Sequence, residues 1–162
     1  MDGLWEKISS YNIFNNLFPG ALFVYFLERF TNVIISTDDV IKNFVLYYFV
    51  GLVVGRIGST VFEPILRFMR VVRFSPYSEY INACQHDGKI EVLQEVANMY
   101  RTLFSMSLLL LGALYYADLF TEKGYVASKG ICGAIAIIFL VSYIKQIRFI
   151  IKRVDKACNK LP

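Results

Sequence analysis

Long apolar runs constrain this chain more than any other feature. Four of them stand at 17–35, 40–62, 103–119 and 125–144. Each approaches the roughly 20 residues that carry a helix across a bilayer. Composition points the same way: hydrophobic residues make up 56% of the chain, aromatic residues 16%, and mean hydropathy is +0.49. A water-soluble domain of this size lacks the interior to hide so much apolar surface. The expected fold class is all-α: a single-domain polytopic membrane protein, 1–162, with four transmembrane helices. A helical cytoplasmic connection is expected at 63–102 and a basic amphipathic tail at 145–162.

Lys and Arg are unevenly placed. Lys7, Arg56, Arg67, Arg70, Arg73, Lys89, Arg101, Lys145, Arg148, Lys152, Arg153, Lys156 and Lys160 fall on one side of the four runs. Only Arg29, Lys42, Lys123 and Lys129 fall on the other. Thirteen against four predicts that both termini are cytoplasmic at the inner membrane of a cell. The net charge of +4 is too mild to imply direct contact with nucleic acid. The leading "MDGLWEKISSYN" has two acids against one lysine, and no small-residue cleavage site follows the first run. That run is expected to be retained rather than removed as a signal peptide.

In "DGKIEVLQEVANMYRTLF", Ile90, Leu93, Ala97, Tyr100 and Phe104 recur at helical spacing. The pattern predicts a helix that begins after Gly88 and runs unbroken into the third apolar run. Glu91, Glu95 and Asn98 lie on a different face. In the tail, Ile147, Ile150, Ile151 and Val154 form an apolar stripe, and Lys145, Arg148, Lys152 and Lys156 a basic one. Such a helix suits the anionic inner leaflet or a partner protein. Glu91, Glu95 and the four basic residues are therefore the candidate partner or lipid surface.

The stretch "GLVVGRIGSTVFEP" is unusual for a membrane helix. Gly51, Gly55 and Ser59 fall four apart and make a small-residue face that invites another helix, within the protomer or across an oligomer interface. A homo-oligomer is expected, with four copies as the working number. Arg56 lies about 16 residues from the outer start of its helix, roughly 24 Å into a core of about 30 Å. A charge there is costly, so it anchors at the inner boundary with a carboxylate partner or it serves a pore or a conformational joint. Glu63, seven residues on, and Glu95 are the candidate partners. Glu28 and Arg29 are expected to mark the outer water boundary.

Motifs for chemistry are missing. The sequence has no phosphate-binding loop, dinucleotide fingerprint or nucleophile elbow. The three cysteines, Cys84, Cys132 and Cys158, are far apart, and Cys84 with the lone His86 is half a zinc site at best. No catalytic residue, metal or cofactor is expected, and the chain is not read as an enzyme.

"YNIFNNLFPGALFVYFLE", "YYFVGLVVGRIGSTVFEPILR" and "YSEYINACQHDGKIEVLQEVANMYRT" together resemble a group of small four-span bacterial membrane proteins. Some of these accompany anti-phage defence genes, and the membrane subunit of the Kiwa system is a candidate relative. The likeness spans 11–111, and "GRIGSTVFEP" is its most specific part. It implies a defence context and no catalytic motif. With the residues, it gives two expectations: an oligomeric subunit that anchors or senses for a cytoplasmic protein partner, or a pore-forming effector that depolarises the membrane.

Overall fold

The computed structural model describes residues 2–31, 33–119 and 125–158, with side chains from residue 13 onward. They form five helices: α1 (Asp2–Phe30), α2 (Val40–Phe68), α3 (Tyr77–His86), α4 (Lys89–Asp118) and α5 (Val126–Cys158). No strand occurs among the described residues.

Local chemistry sets several of the ends. Asp39 caps α2 by accepting from the backbone N–H groups of Ile41 and Lys42. Arg70 stands at φ 58, the left-handed conformation that closes a helix. The N–H of Val71 then returns to the Leu66 carbonyl, and Val72 tucks inside. Pro76 precedes α3, and Gly88 separates α3 from α4. From Gly88 the helix runs unbroken to Asp118, as the spacing predicts.

α4 lies at the centre, against α5 on one side and α1 and α2 on the other. Every side chain from Thr102 to Ser107 is buried, so this part of the helix is enclosed by protein all round. The hydroxyls of Thr102, Ser105 and Ser107 each donate to the carbonyl four residues back, which satisfies them without a partner helix.

Two apolar cores share this axis. One gathers Ile90, Ala97, Tyr143, Ile147, Ile150 and Val154 with Ala83 of α3. The other gathers Val54, Leu103, Met106, Leu110, Leu114 and Cys132 beneath α1.

Among the described residues two helices, not four, are long and apolar enough to cross a membrane by themselves: Val40–Phe68 and Val126–Cys158. Their most apolar windows are only 17% and 22% buried. Phe44, Val45 and Phe49 of α2 point outward, as do Ile131, Ile137 and Ile138 of α5. This outward apolar surface is compatible with membrane insertion and unlike the core helix of a water-soluble domain.

The runs at 17–35 and 103–119 do not reach that apolarity by themselves. The first lies in a helix that ends at Phe30, and Asn15 and Asn16 sit inside that helix. Their amides, with Glu28 and Arg29, dilute its apolarity. The Glu28 carboxylate folds the following loop back by accepting from the N–H groups of Ile35 at 2.8 Å and Ser36 at 2.6 Å. The second run carries Ser105, Ser107 and two tyrosines, Tyr115 and Tyr116, which lower its hydropathy.

The tail is also corrected. Residues 145–158 are not a separate helix but the last four turns of α5. The apolar stripe expected to meet the leaflet or a partner is spent inside the protein: Ile147, Ile150 and Val154 are buried in the first core. Residues 159–162 lie outside the described ones.

Candidate functional site

The small-residue face packs within the chain. A Cβ added to Gly51 would stand 1.8 Å from the Asn16 carbonyl oxygen, and one on Gly20 would stand 1.8 Å from that of Tyr47. α1 and α2 therefore cross with their backbones in contact, which only glycine permits at both points. One turn on, Gly55 faces Thr102 of α4, where an added Cβ would have 3.3 Å to the hydroxyl. Gly58, and not Ser59, continues the seam, against Ser105. Ser59 turns its hydroxyl to the Arg56 carbonyl at 2.9 Å, and Thr60 bonds the same oxygen at 2.8 Å.

From Gly58 to Phe62 the helix widens to i→i+5 bonding, with the Glu63 N–H reaching the Gly58 carbonyl. One extra residue in a turn rotates everything after it by about 100°. Seven residues of regular helix would leave Glu63 on the face of Arg56. The wide turn swings Glu63 inward while Arg56 stays on the exposed side. The expected Arg56–Glu63 pair is thereby ruled out, and Glu63 takes other partners.

Those partners come from three helices. Arg67, one turn on, places Nη2 2.7 Å from Glu63 Oε1. Arg101 of α4 brings Nη1 to 2.5 Å from Oε2, and the Tyr143 hydroxyl of α5 donates to the same oxygen at 3.2 Å. Glu63 and Arg101 are nearly enclosed, with side chains 12% and 16% exposed. The Arg67 guanidinium also covers the Phe74 ring at 4.1 Å. Arg101 Nε is buried without a hydrogen-bond partner among the described residues. One carboxylate thus holds two guanidiniums and a phenol at the point where the two cores meet.

Beside it opens a polar cavity of about 230 Å³, lined by Asn15 and Asn16, Arg56, Glu95, Asn98 and Arg101 among others. Asn15 is buried and donates to the Glu95 backbone carbonyl at 3.3 Å and to its carboxylate at 3.4 Å. Glu95 is therefore an interior tie to α1, not part of an open acidic face. Arg56 shares the cavity with Glu95, yet among the described residues no ion pair joins it to any carboxylate.

At the far end, Asp87 caps the start of α4 and accepts from Arg153 Nε at 2.6 Å. The Arg153 hydrogen bond holds the Asp87 carboxyl below its ordinary range. The clamp ties the α3–α4 turn to the end of α5. Burial pushes the Cys84 thiol up, which leaves it a poor nucleophile. The side chains of Lys145, Arg148, Lys152 and Lys156 are exposed along α5, and Glu91 is half-buried. Comparison with protein-family models, characterised proteins and solved structures finds no match for this chain.

The site can hold helices in a fixed relation. Among the described residues, the contacts of Glu63 tie α2 to α4 and α5.

Proposed function

We propose that the chain is an inner-membrane subunit that anchors or senses for a cytoplasmic protein partner, in the setting of bacterial anti-phage defence. One observation carries the reading: α4 and α5, of 30 and 33 residues, are about 45–50 Å long. That exceeds a hydrocarbon core of about 30 Å, so both project beyond it. Their projecting halves join α3 in a core of their own, a platform built outside the membrane. The Lys and Arg bias supports a cytoplasmic side for that platform and both termini. α1 and α4 cross alongside α2 and α5 as third and fourth spans. α4 is enclosed by protein, so its serines and threonines meet no lipid. The defence setting rests on the sequence resemblance alone.

The homo-oligomer remains part of the proposal, but the Gly51–Gly55 face is used up inside the protomer and no longer argues for it. The second reading is a depolarising pore. Its support is Arg56, a charge at membrane depth on an exposed face. Leu103, Met106, Leu110 and Leu114 fill the centre of the bundle, so such a path would run between copies.

Reporter fusions at Asp38 and Gln85 test the topology; a Gln85 reporter outside the cell refutes it. A membrane-potential dye in cells making this protein alone separates the two readings. An unchanged potential, with photocrosslinks from Glu91 to a soluble protein, supports the anchor. Depolarisation that Arg56→Ala abolishes supports the pore.

A further inference from the structure

We infer that α5 carries a binding site for an anionic phospholipid headgroup at the inner membrane boundary. The site is a groove of about 970 Å³ whose walls include Tyr100 of α4 and Ile144, Lys145, Arg148, Phe149 and Lys152 of α5. Its position is set by helix length. Val126 begins α5, and Lys145 follows 19 residues later, about 28 Å along the axis. That is close to the thickness of the hydrocarbon core. Ile144 and the exposed Val141 thus end the lipid-facing stretch, and the three cations begin where phosphates lie.

Charge selects the occupant. Among the described residues none of Lys145, Arg148 and Lys152 is in an ion pair, whereas the neighbouring Arg153 is held by Asp87. They stand at i, i+3 and i+7, which puts them on one helix face. Two ammoniums and a guanidinium converge on one groove, with a phenol-bearing ring opposite and aliphatic side chains toward the membrane. That combination fits a phosphodiester with acyl chains better than a soluble anion, which would not use the apolar wall. The apolar stripe of the same turns is buried on the other side, so α5 cannot roll to lie flat on the leaflet. Its basic face binds lipid edge-on, as a groove. The proposal rests on α5 crossing the membrane.

The test uses the full chain in nanodiscs of neutral phosphatidylcholine doped with phosphatidylglycerol, followed by native mass spectrometry of the lipid retained. Glycerol phosphate is added separately as the soluble competitor. Each basic side chain near an anionic surface is worth roughly fivefold. Preferential retention of phosphatidylglycerol is expected, falling roughly 100-fold in the triple variant Lys145→Gln, Arg148→Gln, Lys152→Gln. The control Lys42→Gln, at the opposite end of the helices, should retain it. These residues are exposed, so the triple variant is expected to keep the wild-type melting temperature in neutral lipid. Equal retention of both lipids, an unaffected triple variant, or displacement by glycerol phosphate overturns the site. Failure of the chain to insert into bilayers at all overturns the membrane reading with it.

Discussion

Replacing Glu63 with Gln isolates the charge at the junction of the two cores. The amide keeps the shape of the carboxylate and can still accept the Tyr143 hydroxyl. It cannot neutralise Arg101, whose side chain is 16% exposed and whose Nε already lacks a partner among the described residues. Breaking a buried pair from one side costs about 3–5 kcal/mol, because the remaining charge stays desolvated. The Arg67 contact adds little, since that side chain is 54% exposed and exposed pairs are worth at most about 1 kcal/mol. Polar contacts also find substitutes in an unfolded state that stays in the membrane, which lowers the cost. A net loss of about 2–3 kcal/mol is expected, or a melting temperature lower by roughly 4–12 °C. The assay is thermal unfolding in mild detergent, followed by intrinsic fluorescence. The double variant Glu63→Gln, Arg101→Met removes both charges and should recover most of the loss. A single variant within about 0.5 kcal/mol of wild type, or a double variant worse than the single, would refute the idea that this charge is held by its partner.

The two glycines of the small-residue face should separate under the same substitution. Gly51→Ala forces α1 and α2 apart and should lower the yield of folded protein sharply. Gly55→Ala, whose Cβ has 3.3 Å to the Thr102 side chain and meets no backbone, should cost far less; similar yields would sink the close-crossing account. Arg56→Ala should not destabilise the fold, since no ion pair holds Arg56 among the described residues; a loss above about 1 kcal/mol would reveal a missing partner. The Asp87 carboxyl is held below its ordinary value of about 3.9. Its contribution is therefore full above that pH and is lost as pH falls through the depressed folded value. Amide exchange in α3 should quicken in Asp87→Asn at neutral pH and match wild type in strong acid, and equal exchange at neutral pH would count against the clamp.

Helices were legible because their signals are local. Ile90, Leu93, Ala97, Tyr100 and Phe104 announce one face of α4 without reference to anything else, and Gly88 announces its start. The glycine seam was legible as a seam but silent on what it meets. Glu63 shows the limit. Its tie to Arg67 is one turn away and could be read from the sequence. Its ties to Arg101 and Tyr143 span 38 and 80 residues. The wide turn that aims it inward leaves no mark in a periodicity count. The partner of Asn15, Glu95, also lies 80 residues away, beyond the reach of any local pattern. The tail stripe is apolar as the spacing says, but it meets α3 and α4 rather than a leaflet or a partner, because periodicity gives the face and not its neighbour.

α5 is also a lever. Tyr143, tied to Glu63, sits near its middle, 17 residues from Val126 and 15 from Cys158. If the helix stays straight, a tilt of about 10° about that fulcrum would carry Cys158 through roughly 4 Å, and Val126 the opposite way by a similar distance. A push on the Val126 half would thus reach the other end of the helix as a displacement of the Arg153–Asp87 clamp, with no diffusing messenger. Spin labels at Ile131 and Lys156, each paired with one on α2, would read the two ends moving in opposition; movement of one end alone would mean that the helix bends at the fulcrum.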